Sequence, residues 1–297
     1  MAFPFLYFSS KCTGLSTLVK AVDASMRRVV ARNIASEGSK VAVNGVELRY
    51  DQTGKGNHAV LLLPGALGSG RVDMKPQFEG LSKDKYTLVT FDPRGYGKSR
   101  PPDRDFPLDF FHRDGKDAAS LMSVLGHDRY SVLGWSDGAI TGIIMAATYP
   151  DHVQKLLVWG GNAYVTKKDL DAYEATRDIC KWSERMRAPM VELYDEEYFQ
   201  KLWSSWIDSM RQIWSENRTD LCMADCRRIT CPTLIIHGEK DFMVPIEHAH
   251  YLNQNIRGSR VLIMPEGKHN LHMRYAEEFN QHAEIFLDSS ANQNSLL

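Results

Sequence analysis

From residue 40 onward the chain alternates between two hydrophobic patterns. Short apolar runs, "HAVLLL", "YTLVTF", "YSVLGW", "KLLVW", "PTLIIH" and "RVLIM", each break into a loop rich in Gly, Pro or charged residues. Runs of this length and composition read as strands buried on both faces. Between them lie stretches with helical spacing, one over residues 114–125 and one directly after Ser136, "GAITGIIMAAT". Strands alternating with helices predict an α/β fold with a mostly parallel, twisted sheet flanked by helices. Ahead of it, "KVAVNGVELRY" alternates apolar and polar residues around Asn44-Gly45, the signature of a hairpin.

The strand pattern stops over residues 164–228. This segment is dense in charge, has helical spacing, and holds Trp182, Trp203, Trp206 and Trp214, four of the six tryptophans. It is expected to be a helical cap inserted late in the sheet, between core segments 38–163 and 229–290. Such a cap would fold over the C-terminal strand ends, where open parallel sheets bind ligands. An aromatic lid there would wall an apolar pocket, although most of these tryptophans are expected to fill the cap's own small core.

Residues 1–37 have a third character. Lys11, Lys20, Arg27, Arg28 and Arg32 face only Asp23 and Glu37, and Leu15, Leu18, Val19 and Val22 share one helical face. Basic, Ser-rich and amphipathic, the segment is expected to be a mitochondrial transit peptide; a disordered tail on a cytoplasmic protein is the alternative. Removing it takes the formal net charge from −1 to −4.

Composition narrows the picture further. With 297 residues, 43% hydrophobic and 25% charged, the chain can bury a large core. Near-neutral charge gives no argument for nucleic acid, and no run reaches the ~18 apolar residues of a membrane span, so no stable membrane association is expected. Cys222, Cys226 and Cys231 do not have the spacing of a metal knuckle and are expected to be structural or incidental.

The candidate chemistry sits at the strand ends. In "GWSDG" a serine is squeezed between two glycines where a strand turns sharply into a helix. That turn lifts the Ser136 hydroxyl above the sheet and aims the Asp137 N–H at a developing oxyanion. A second backbone donor should come from Ala66 or Leu67 in "PGALGSG". Serine needs a base, and the base an orienting acid. Asp241, preferred over Glu239 in "HGEKDFMVP", and His269, preferred over His272 in "PEGKHNLH", follow later strands in the order serine, acid, histidine. His237 is expected to be structural, and His248 and His250 have no expected role. Arg94 and Arg104 are expected to brace their loop against the insertion.

The residues flanking Ser136, Trp135 and Asp137, are the candidate substrate contacts. The Asp137 carboxylate could pair with a cationic amine on the acyl group, or simply complement a helix N-terminus.

With these motifs in place, the stretch 40–287 resembles the α/β-hydrolase superfamily. The serine turn, "DPRGYGKSRPP", "HGEKD" and "GKH" carry the likeness, and Ser136 stands where the epoxide hydrolases and dehalogenases of that superfamily place a carboxylate. The oxyanion loop departs from the pattern, reading Pro64-Gly65 where many relatives have His-Gly. "LGWSDG", "KWSER" and "PEGKHNLH" resemble more narrowly a branch of amino-acid-ester hydrolases. That resemblance implies no metal, no organic cofactor, a monomer acting on small esters or thiolactones with a free α-amino group, and amine recognition by Asp137. A hydrolase of carbon–carbon bonds in ring-cleavage products, or a general carboxylesterase, would use the same triad.

Overall fold

The computed structural model describes residues 38–216 and 219–290, so the expected transit peptide lies outside the described residues. Strands β1 (Ser39–Val43) and β2 (Val46–Thr53) form the hairpin turning at Asn44-Gly45, both in the left-handed region. Then follow β3 (His58–Leu63), β4 (Tyr86–Phe91), β5 (Tyr130–Trp135), β6 (Val153–Trp159), β7 (Thr233–Gly238) and β8 (Arg260–Met264). They join in one eight-stranded sheet of order β1-β2-β4-β3-β5-β6-β7-β8, antiparallel at β1, β2 and β4 and parallel from β4 onward. This is the doubly covered, mostly parallel sheet that the apolar runs predict.

The side-chain alternation shows why those runs are continuous. On β3, Leu61 and Leu63 face one core layer while Val60 and Leu62 face the other. The first layer is covered by α3 (Phe110–Val124) and α4 (Asp137–Thr148), preceded in the chain by the short α1 (Gly70–Asp73) and α2 (Lys75–Gly80). Helix α3 begins four residues ahead of the expected start. Phe110 and Phe111 are buried, and the Phe110 N–H donates to Pro107 O, so packing extends the helix backward. Helix α4 is buried from Asp137 to Ala147, which explains its small apolar residues.

The described residues of 164–228 carry four helices and no named strand. These are α5 (Lys167–Ala175), α6 (Glu184–Tyr194), α7 (Glu196–Ser215) and α8 (Met223–Cys226), with a 3-10 turn at Ile179–Lys181. The two ends of the segment are pinned together: Val165 N–H donates to Thr219 O, and the Leu221 and Cys222 N–H groups donate to Ala163 O. In α7, Phe199, Leu202, Trp203, Trp206, Ile207, Met210 and Ile213 are buried at helical spacing and join the first core layer. Trp214, near its end, is 41% exposed. The second layer is closed by α11 (Ala276–Asp288), which follows α9 (Ile246–Asn255) and α10 (Leu271–Arg274). Among the described residues no helix is long and apolar enough to cross a membrane.

Candidate active site

Ser136 links β5 to α4 with φ +54° and ψ −118°. A non-glycine residue there costs about 1–3 kcal/mol, a strain that recurs at functional turns. Its flanking glycines are required by space. A Cβ on Gly134 would lie 2.2 Å from Gly138 O, and one on Gly138 would lie 2.3 Å from Leu63 O. The turn is held by Ser136 N–H donating to Trp159 O, and by the Ala139 and Ile140 N–H groups donating to Ser136 O.

The loops after β7 and β8 bring Asp241 and His269 to this point. His269 Nε2 lies 3.1 Å from Ser136 Oγ, and His269 Nδ1 lies 2.8 Å from Asp241 Oδ2. The other oxygen, Asp241 Oδ1, accepts from the Met243 and Val244 N–H groups. Burial would raise the Asp241 pKa, but the charge and hydrogen bond of His269, with the Val244 amide, hold it below the usual carboxylate range. Glu239 is exposed on the same loop.

Trp135 sits beneath the histidine loop. Its indole N–H donates to His269 O at 2.8 Å, and its ring packs against His269 and His272. That placement braces His269. His272 is fully buried with Nε2 3.1 Å from Asp73 O, and burial pushes its pKa down to about 3. His237 Nε2 lies 3.0 Å from Val244 O, and His248 Nε2 pairs with Asp169 at 3.0 Å, joining α9 to α5. The pair has a structural role that nothing in the sequence pattern marks.

Opposite the histidine, the Gly68 N–H donates to Gly65 O and closes a turn with Ala66 and Leu67 at its centre. Leu67 is strained, at φ +59°. A Cβ on Gly65 would lie 3.4 Å from Ser136 Cβ, so the turn abuts the serine. Asp137 is the first residue of α4, where a backbone N–H has no intrahelical acceptor. The turn is tied down from two sides. Asp73 Oδ2 accepts from Gly65 N–H at 3.0 Å, and Tyr194 OH donates to Leu67 O at 2.7 Å while accepting from Gly97 N–H. Burial pushes the Asp73 carboxyl up to about 7 against the Gly65 hydrogen bond.

The Asp137 side chain is 8% exposed, and its Oδ2 accepts from the indole N–H of Trp206 at 2.9 Å. Among the described residues no Lys, Arg or His forms an ion pair with it. Arg104 is committed elsewhere, bidentate to Asp114 at 2.8 and 2.6 Å and packed over Tyr96. Burial therefore pushes the Asp137 pKa up to about 7, with the Trp206 hydrogen bond and Arg104 opposing and Asp114 adding to the rise. Arg94 is bonded to Asp117 and Asn44 O. Both arginines brace the loop that follows β4, but against α3 and the β1–β2 hairpin and not, as expected, against the inserted segment, because the carboxylates within their reach are Asp114 and Asp117. Among the described residues no cluster of three or more His, Cys, Asp or Glu side chains could hold a metal ion, and Cys222 and Cys226 are buried.

Trp206 and Tyr194 are the site residues that sequence reasoning missed. Both lie in the helical segment, where Trp206 reads as one more member of an apolar stripe. No local signal ties either one to a partner 69 or 127 positions away.

Known proteins share this fold. A profile of the α/β hydrolase fold matches residues 58–189. Human serine hydrolase BPHL is 55% identical over 249 residues, covering 84% of this chain and 86% of its own. The mouse protein of the same name is 53% identical over 253 residues, with coverage of 85% and 87%. Among solved structures, a meta-cleavage product hydrolase from Pseudomonas fluorescens superposes with a TM-score of 0.71 at 22% identity, over 84% of this chain and 97% of its own. The chain belongs to the α/β-hydrolase family. Within it, this is a serine hydrolase similar to BPHL, the biphenyl hydrolase-like protein.

Proposed function

We propose that the protein hydrolyses α-amino acid esters, and related aminoacyl thioesters such as thiolactones, through an acyl-enzyme on Ser136. One observation carries the reading: a buried carboxylate, Asp137, directly follows the serine and has no cationic partner of its own among the described residues. An anion beside an oxyanion hole opposes charge build-up on the carbonyl oxygen unless a substrate cation neutralises it. An α-ammonium group, two bonds from the acyl carbon, supplies that cation. An acidic ring-cleavage product would be repelled, which disfavours carbon–carbon hydrolysis.

The steps follow from the triad geometry. His269, oriented by Asp241, takes the Ser136 proton as Oγ attacks the carbonyl carbon. The Asp137 amide and a turn amide, Ala66 or Leu67, hold the oxyanion. The tetrahedral intermediate collapses, the C–O bond to the alcohol breaks, and protonated His269 gives its proton to the leaving oxygen. Water, deprotonated by His269, then attacks the aminoacyl-enzyme and releases the amino acid and Ser136.

The test is a matched pair, a valyl ester and its des-amino analogue, with wild type and Asp137→Ala. Wild type should prefer the amine, and in the variant the ratio of kcat/KM values should fall about tenfold to a hundredfold, as for a hydrogen bond to a charged group. The preference should also weaken below pH 7, because the Asp137 carboxyl takes up a proton as pH falls through about 7. Equal rates on both esters, unchanged by the substitution, would leave a general carboxylesterase.

A further inference from the structure

Three tryptophans of the helical segment, Trp203 and Trp206 buried and Trp182 partly buried, use their indole N–H groups differently. Trp182 and Trp203 both donate to Thr176 O, within the segment itself. Trp206 donates across to the core, to Asp137 Oδ2. Its ring is stacked on Trp203, with centroids 4.9 Å apart and planes 7° apart, and meets Tyr173 edge-on at 5.0 Å. At 4% exposure the indole is clamped between aromatic neighbours, and its N–H has one fixed direction.

The choice of donor matters chemically. An indole N–H donates and carries no charge at any pH the enzyme meets. It therefore holds one carboxylate oxygen without neutralising the anion, and leaves Oδ1 for a ligand. An arginine or lysine in its place would cancel the charge that an ammonium group needs. We infer that Trp206 is a specificity-determining positioning residue, which orients the Asp137 carboxylate and keeps it anionic, so that the amine subsite is complete only when cap and core are joined. This inference rests on the amino-ester reading above.

The electrostatics agree with the geometry. The charged and titratable groups facing Asp137 are Arg104 and Asp114, beside it in the core, His269 across the serine, and the Tyr96 and Tyr173 hydroxyls. Arg104 and His269 favour the ionised carboxyl, and Asp114 disfavours it. Against burial, the Trp206 hydrogen bond heads the stabilising influences. Without it burial is less opposed and the carboxyl pKa rises further. The pH window in which carboxylate and ammonium coexist then narrows.

The experiment is the ratio of kcat/KM for the valyl ester to that for the des-amino ester, followed from pH 5.5 to 8.5. Groups common to both reactions cancel in this ratio. Trp206→Phe should lower it about tenfold near pH 7 and move the midpoint of its acid-side fall alkaline by about one pH unit. Trp182→Phe, which also removes an indole hydrogen bond to Thr176 O but whose ring meets Phe199 and Trp203, should move neither. A second measurement needs no folded variant: in the wild-type NMR spectrum one indole N–H resonance should titrate with a midpoint near 7 and shift on adding L-valinamide. A wild type that prefers the amine, with ratio and midpoint unchanged in Trp206→Phe, overturns the role of Trp206 alone. Indole resonances indifferent to both pH and valinamide also overturn it. A wild type that treats the two esters alike overturns the amino-ester reading and this inference with it.

Discussion

Ser136, Asp241 and His269 stand at the ends of three strands of one sheet, and the chain around them is held mainly by backbone. Ser136 is locked by its own main-chain hydrogen bonds, Asp241 by two amides, and the turn at Ala66 and Leu67 by Gly65 and Gly68. The helical segment at 164–228 reaches the same site with two side-chain tips, Trp206 on the Asp137 carboxylate and Tyr194 on the Leu67 carbonyl. Under the proposed function, the sheet ends hold the groups that make and break bonds, while the helical segment adjusts the groups around them. Chemistry and selectivity would then be anchored in different parts of the chain, and substitutions should separate them.

The largest effect belongs to the core. Ser136→Ala should reduce turnover of the valyl and des-amino esters alike by at least about 10³-fold, the scale on which triad members act. Alanine keeps the strained φ of +54°, and the three backbone hydrogen bonds of the turn remain, so circular dichroism and Tm should be close to wild type. Residual activity above a few per cent on either ester would break the assignment of Ser136 as nucleophile. A large loss on one ester alone would mean that core and cap are not separable in this way.

That division also explains what could be read from the sequence. The serine turn is local: a strand, two glycines at which a Cβ would lie only 2.2 and 2.3 Å from backbone oxygens, and an apolar helix. The Asp241 and His269 loops follow apolar runs whose strand character is unambiguous, so their placement at one sheet edge follows from topology. The cap contacts leave no such trace. Positions 199, 202, 203, 206, 207, 210 and 213 form one buried stripe, and periodicity explains every member equally. That one indole N–H leaves the stripe for a carboxylate depends on how two elements dock. The early start of α3 has the same origin, since Phe110 and Phe111 are drawn into the helix by packing that local spacing does not encode.

A middle-sized effect would sharpen the comparison from the cap side. Tyr194→Phe leaves Leu67 O and Gly97 N–H without their partner in a buried place, at a stability cost of about 1–3 kcal/mol measurable as a lower Tm. Leu67 is itself strained, so its turn should relax and the oxyanion donors lose alignment. Turnover of both esters should fall together, about threefold to tenfold, with the amine preference preserved. This pattern differs in kind from that of Trp206→Phe, which should spend its effect on the preference. If Tyr194→Phe altered the preference and not the common rate, the two cap contacts would be acting on the same group, and the separate roles given to them would fail.

The smallest expected effect decides whether the cap acts through particular atoms or through its bulk. Trp214 belongs to the same helix as Trp206, two turns further on, but it is 41% exposed where Trp206 is 4% exposed. Were the cap important only as an apolar cover, shaving any of its tryptophans should erode activity in proportion to the area lost. Were single hydrogen bonds decisive, Trp214→Ala should be nearly silent despite removing the whole indole: rates and amine preference within about twofold, stability within about 0.5 kcal/mol. A loss of amine preference in Trp214→Ala comparable to that in Trp206→Phe would show that selectivity depends on the integrity of α7 as a whole. The contrast between an entire exposed ring and one buried N–H is the most economical separation of those two views, because both substitutions lie on one helix and differ chiefly in whether a bond to Asp137 is lost.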